Sequence, residues 1–198
     1  ISSPLSSDLS LALGTSETNL LELTAAYGAF PRNGVAMAPY AILEIRGSNG
    51  ERVYRHTPQK KVVMSPEGAA IVRDMLQAVV SEGTGRRAQS LSAQLAGKTG
   101  TTGDYRDALF IGFSPTLLAG VWVGRDDNQP LGDKESGSRA ALPIWLAFME
   151  KALPTQPYRV FERPQNLEVR PMDPWTGDIT SKALAGTVPA LFRPSSSR

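Results

Sequence analysis

The run Lys98-Thr99-Gly100-Thr101-Thr102 puts a fixed cation, three hydroxyls and a residue without a side chain into five consecutive positions. On a strand, such a run can wall a site for an acyl donor. Lys98 supplies positive charge, and the Thr99 and Thr101 hydroxyls can hydrogen-bond a carboxylate. Gly100, lacking Cβ, lets another backbone approach closely. The Thr101 N–H is a candidate oxyanion donor, a kind of group worth about 2.7–4 kcal/mol in acyl transfer. A peptide laid along an edge strand would gain main-chain hydrogen bonds while neighbouring side chains select it. Lys-[Ser/Thr]-Gly alone is weak evidence, since it arises by chance in roughly one chain in five of this length. Its bland reading is a solvated lysine before a turn. A phosphate loop is excluded: Ser92 stands where the required glycine should be, and strand-forming residues rather than a helix follow.

Two apolar runs rich in β-formers come next, Ala108–Phe113 and Leu117–Val123, separated by Ser114-Pro115-Thr116. Pro at the second place of so short a link presets φ for a tight turn. The runs are therefore expected to form an antiparallel hairpin, with the Lys98 strand pairing beside it. Helices must cover that sheet. Asn19 and Glu22 fit a capping box, in which the Asn oxygen accepts from an early N–H and the carboxylate reaches back. Leu23, Ala26, Tyr27 and Phe30 then share one helical face, and Asn33-Gly34 supplies a left-handed stop. A second helix is predicted from Ser65-Pro66 to Glu82-Gly83, with Ile71, Val72, Met75, Leu76, Val79 and Val80 as its buried stripe and Met75 as core filler. A third spans Ser138–Leu153. Its apolar side holds Leu142, Ile144, Trp145, Phe148, Met149 and Leu153, and Pro143 must sit in its first turn or mark its true start. Residues 39–46 and 51–56 flank Gly47-Ser48-Asn49-Gly50 as a hairpin. From Pro154 onward prolines recur, and Asp173-Pro174-Trp175-Thr176-Gly177 is a turn. The chain therefore divides into a domain over 1–153 and an extended Pro-rich tail over 154–198, disordered at Ser195–Arg198. The fold class is α+β, an antiparallel sheet covered by helices.

Composition narrows the function. Of the 198 residues, 41% are hydrophobic and 20% charged, as in ordinary globular proteins. A formal net charge of +2, with no basic run longer than two residues, gives no footprint for nucleic acid. No apolar stretch approaches the roughly 18 residues a membrane span needs. Ile1-Ser2-Ser3-Pro4 does not open a signal peptide, so any anchor or export signal is expected outside this chain. The absence of cysteine excludes disulfides and thiolate metal sites and suits an oxidising compartment. With His56 as the single histidine, neither a Ser-His-Asp triad nor a multi-histidine metal site is supported, and no cofactor or metal is expected.

Lys-Thr-Gly is also the third of the motifs Ser-x-x-Lys, Ser-Asp-Asn and Lys-Thr-Gly that mark penicillin-binding proteins and class A β-lactamases. The likeness extends through LALGTSETNLLELTAAYGAF (11–30), SPEGAAIVRDMLQAVVSEGTG (65–85), GKTGTTGDYRDALFIGFSP (97–115), GVWVGRDDN (120–128) and SGSRAALPIWLAFMEKAL (136–153). In this order they resemble the C-terminal half of the transpeptidase domain of class A, bifunctional penicillin-binding proteins. Leu109 departs from the family, which often has Trp before the Phe.

That resemblance implies a serine β-lactamase/transpeptidase-like fold, incomplete in this chain, with three of five sheet strands present and an open apolar edge along Leu117–Val123. It implies a peptidoglycan D,D-transpeptidase, acting through an acyl-serine intermediate and acylated by β-lactams. Lys98 would assist proton traffic, and Thr99 and Thr101 would hold the terminal carboxylate of a D-Ala-D-Ala stem peptide or a β-lactam. Gly100 would permit that approach, the Thr101 N–H would lend half the oxyanion hole, and Thr102 would support the end of the substrate-binding strand. No Ser-x-x-Lys and no Ser-x-Asn occur anywhere in the chain, so it supplies no activated nucleophile. By resemblance the nucleophile, a membrane anchor at the extracytoplasmic face of the inner membrane, and a glycosyltransferase module lie upstream. An upstream fragment would pair with the open edge. A β-lactamase or D,D-carboxypeptidase of the same fold, or a non-catalytic stem-peptide-binding module, is the alternative.

Overall fold

The sheet expected around Lys98 is present. The computed structural model describes residues 1–194, and the expectation for Ser195–Arg198 lies outside the described residues. In chain order the elements are α1 (Leu20–Tyr27), β1 (Val35–Met37), β2 (Glu44–Arg46), β3 (Arg52–Arg55), β4 (Lys60–Val62), α2 (Pro66–Ser81), β5 (Ala96–Thr101), β6 (Asp107–Phe113), β7 (Leu118–Gly124), α3 (Leu142–Ala152), β8 (Glu168–Met172) and β9 (Val188–Phe192). Strands β5, β6 and β7 form an antiparallel sheet in that order. The register pairs Thr101 with Ala108 and Phe113 with Leu118. The hairpin turn works as its residues predict: the Ser114 hydroxyl accepts from the N–H groups of Thr116 and Leu117 at 3.2 and 3.0 Å.

Alternation along β6 divides the core in two. Ala108 and Phe110 face Leu142, Trp145 and Met149 of α3. Phe113, with Ala96, meets Leu76 of α2, the Tyr27 ring at the end of α1 and the Phe30 ring just beyond it. Trp145 anchors the first cluster. It is fully buried, its ring meets Phe110 edge-on at 5.1 Å, and its Nε1–H donates to the carbonyls of Gly112 and Ala119 at 3.2 and 3.1 Å. Gly112 must lack a side chain, because a Cβ would lie 2.7 Å from both rings. Pro143 occupies the first turn of α3 as expected, preceded by a π-type turn over Gly137–Ala141. Ile144 and Phe148, read as part of its apolar side, remain half exposed.

The structure corrects the stripe of α2. Ser65 caps it as predicted, accepting from Gly68 N–H at 3.1 Å. Leu76 and Val80 are buried as predicted, but the other buried residues are Ala69, Ala70 and Arg73, whereas Met75 is 63% exposed and fills no core. The helix is turned so that two alanines allow close packing and an arginine goes inward. Burial of Arg73 is tolerated because its guanidinium donates to Phe30 O at 3.2 Å, to Asn33 Oδ1 at 3.1 Å and to Glu162 O. It also lies 5.0 Å over the Phe161 ring. Desolvation lowers its pKa, and the nearby Glu162 and Asp74 oppose that shift. Arg73→Met is expected to destabilise the fold by about 3 kcal/mol, read as a lower urea midpoint, because it strands three part-buried acceptors at once. An unchanged midpoint would show that the guanidinium contributes nothing net.

The box at α1 is also only half as expected. Asn19 Oδ1 accepts from Glu22 N–H at 2.9 Å, but the Glu22 carboxylate turns to Ser2 and Ser3 instead of back to Asn19. The Ser2 hydroxyl, then that of Ser3, holds its pKa down at about 2. The β2–β3 hairpin sits where predicted but is shorter, and β1 pairs with β4, Val35 opposite Val62, a pairing the polar Lys60-Lys61 run does not announce.

The segment after α3 follows α2. Phe161 packs edge-on to Phe113 at 5.8 Å, and Asn166 donates to Glu67 Oε1 at 3.0 Å. Then β8 and β9 form a hairpin that the sequence did not suggest. Leu191 N–H donates to Asp74 Oδ2 at 3.1 Å, and Arg193 donates to Ser65 Oγ at 3.2 Å. Burial raises the Asp74 pKa, against the Leu191 N–H and the neighbouring arginines.

Candidate active site

Among the described residues β5 pairs with β6 alone and is therefore a sheet edge. Thr102 N–H donates to Asp107 O at 3.1 Å, so the main chain of Thr102 faces β6. Antiparallel pairs alternate, so the main-chain groups of Thr101 and Thr99 turn away from β6, toward the open side. The same period of two puts the Thr99 and Thr101 side chains on one face and Lys98 on the other. Lys98 is exposed, and its Nζ donates to Thr99 O at 2.7 Å. Among the described residues it forms no ion pair.

Each residue of the run is held differently. The Thr99 hydroxyl shares a hydrogen bond of 2.9 Å with that of Thr84, just beyond α2. The Thr101 hydroxyl accepts from Gly137 N–H at 3.1 Å. Because an N–H can only donate, the Thr101 proton stays free for another acceptor. Thr102 closes the strand end, its hydroxyl accepting from Asp107 N–H at 2.8 Å and donating to Asp107 Oδ2 at 3.1 Å. Trp122 Nε1–H of β7 holds the other carboxylate oxygen at 3.0 Å. A Cβ on Gly100 would lie 3.2 Å from Leu109 Cβ. Gly137 packs against the Gly100 backbone, and any side chain on Gly137 would run into the carbonyl oxygens of Leu109 and Gly100.

The run named from sequence is thus brought to one edge, and its partners come from three other places. Thr84, Asp107, Trp122 and Gly137 were missed. Gly83-Thr84-Gly85 and Ser136-Gly137-Ser138 carried a faint signal, a polar turn beside a helix end, but their pairing with β5 depends on the packing of α2 and α3.

An antiparallel sheet packed against helices, with Lys-Thr-Gly on its edge and both hydroxyls on one face, is the arrangement of the serine β-lactamase and transpeptidase fold. The model of the penicillin binding protein transpeptidase domain matches residues 2–150, and the chain belongs to that family. It is 43% identical over 186 residues to penicillin-binding protein 1A of Aquifex aeolicus, covering 92% of this chain and 25% of that protein. The crystal structure of penicillin-binding protein 1A from Haemophilus influenzae superposes with a TM-score of 0.83 at 26% identity, covering 94% of this chain and 33% of that one. Penicillin-binding protein 3 from Mycobacterium tuberculosis, complexed with aztreonam, superposes with a TM-score of 0.57 at 26% identity, over 78% of this chain and 40% of that one. The chain spans about a quarter of the length of the Aquifex relative.

Proposed function

We propose that this chain is the C-terminal part of the transpeptidase domain of a class A, bifunctional penicillin-binding protein, with residues 154–198 as a tail on that domain. The parent would be a peptidoglycan D,D-transpeptidase with a glycosyltransferase module, anchored at the extracytoplasmic face of the bacterial inner membrane. Its anchor and its Ser-x-x-Lys nucleophile would lie on other parts of the parent. Among the described residues no helix is long and apolar enough to cross a membrane.

The observation that carries this reading is the pair of threonine hydroxyls on one face of an edge strand, with the Thr101 proton left free by Gly137. In the proposed step the serine oxygen attacks the penultimate D-Ala carbonyl of a stem peptide. The acyl–oxygen bond forms, the peptide bond breaks, and the terminal D-Ala leaves with a proton. The Thr101 N–H faces the open side of β5 and suits the developing oxyanion. The Thr99 and Thr101 hydroxyls take the substrate carboxylate, Lys98 places its charge near the nucleophile, Gly100 keeps the strand open, and Thr102 holds the strand end. A β-lactam would follow the same route and remain as the acyl-enzyme, in keeping with the family's name and with the aztreonam complex of its M. tuberculosis relative. The outer side of β7, unpaired among the described residues, would take a strand from an upstream fragment.

A labelled penicillin tests this on the intact parent. Covalent labelling is expected, abolished when the Ser-x-x-Lys serine is replaced, and Thr101→Val is expected to slow acylation by about tenfold through loss of a charge-assisted hydrogen bond. Purely reversible binding would identify a non-catalytic module. Rapid turnover of the label would identify a β-lactamase, and an unaltered rate for Thr101→Val would place the groove elsewhere.

A further inference from the structure

The Thr99 hydroxyl has a partner with no assigned role. Thr84 lies between Gly83 and Gly85, immediately after α2. The backbone there is pinned: Gly83 N–H donates to Ala78 O at 3.1 Å, and Gly85 N–H to Val79 O at 2.9 Å. A Cβ on Gly83 would lie 2.9 Å from Val79 Cα. Thr84 is therefore the one side chain this turn presents, and its Oγ1 stands 2.9 Å from Thr99 Oγ1.

We propose that Thr84 is a positioning residue that aims the Thr99 hydroxyl proton at the carboxylate or other anionic group of the acyl donor. The inference rests on the acyl-donor reading of β5. Two hydroxyls sharing one hydrogen bond use one proton and leave the other free. If Thr99 donates to Thr84, it turns only lone pairs toward an incoming carboxylate, which itself accepts and never donates. If Thr84 donates, Thr99 keeps its proton for the ligand. An arriving carboxylate selects the second arrangement, and Thr84 then does for Thr99 what the Gly137 N–H does for Thr101. The difference is that Gly137 is fixed as a donor, whereas Thr84 is free to rotate and responds to the ligand's charge. Without Thr84 the Thr99 hydroxyl would be an unrestrained rotor whose ordering must accompany binding.

The test compares acylation of the intact parent by benzylpenicillin and by its methyl ester, which lacks the carboxylate, in wild type, Thr84→Val, Thr84→Ser, Thr99→Val and the double valine variant. Thr84→Val is expected to lower the benzylpenicillin rate by about tenfold, as for a lost hydrogen bond supporting a charged group, and the ester rate much less. Thr84→Ser should restore the rate, and Thr84→Val should add nothing once Thr99 is valine, the sign that one acts through the other. Equal losses with both β-lactams would overturn the proposal in favour of a purely structural role. An unchanged benzylpenicillin rate would overturn it outright. Wild-type protein that is never acylated would instead bring down the acyl-serine reading, and this inference with it.

Discussion

Lys98→Ala in the intact parent is expected to cut acylation by a labelled penicillin by about 10²–10⁴-fold, the range for losing a group that assists proton transfer. The thermal midpoint should barely move, because the side chain is exposed and, among the described residues, its ammonium hydrogen-bonds only the Thr99 carbonyl. That combination separates chemistry from folding. A lysine serving as a solvated strand-end charge would leave acylation intact, and one holding the sheet together would lower stability and rate alike. Lys98→Arg sharpens the reading. It keeps the charge but spreads it over a larger, more rigid head whose protons are not given up. If Lys98 only attracts the substrate carboxylate, the arginine variant should retain most of the rate. If it moves protons to or from the nucleophile, that variant should be nearly as slow as the alanine.

Trp145→Ala is expected to cost about 3–5 kcal/mol, the range for removing a large aromatic from a core. The loss should be visible as a large fall in the urea midpoint. Trp145 is fully buried, meets Phe110 edge-on, and gives its single N–H to two carbonyls on adjacent strands. Gly112 leaves no side chain with which to refill the space. Trp145→Phe separates the two contributions: it retains much of the ring contact and drops the N–H, and should cost about 1–3 kcal/mol. Equal losses in the two variants would assign the effect to the hydrogen bonds. Because α3 follows directly from the turn holding Gly137, loosening it is also expected to release Thr101 and slow acylation of the parent.

Much of this was legible before any coordinates. The β6–β7 hairpin followed from two short apolar runs and a proline-bearing link, since strand period and turn chemistry are local properties. The start of α2 at Ser65-Pro66 and the place of Pro143 in α3 were legible for the same reason. What failed was which way a helix faces. Met75 and Arg73 differ by two positions on α2, and hydropathy favours burying the methionine. The choice went the other way because Phe30, Asn33 and Glu162 together offer a guanidinium three acceptors and Phe161 offers it a ring. Those groups come from segments up to 89 residues away. The Glu22 carboxylate failed similarly, because Ser2 and Ser3 lie close enough to outcompete the Asn19 backbone.

By itself the sequence determined that, on a strand, Lys98 points to one face and the Thr99 and Thr101 side chains to the other, because successive residues along a strand must point to opposite faces. Only the tertiary structure decided which partner each hydroxyl meets, and that Thr101 keeps its proton to give. That depends on Thr84 arriving from the end of α2 and on Gly137 from the turn before α3. Hydrogen-bond direction is set by a partner's chemistry within about 3 Å, and no spacing within one strand records who that partner is.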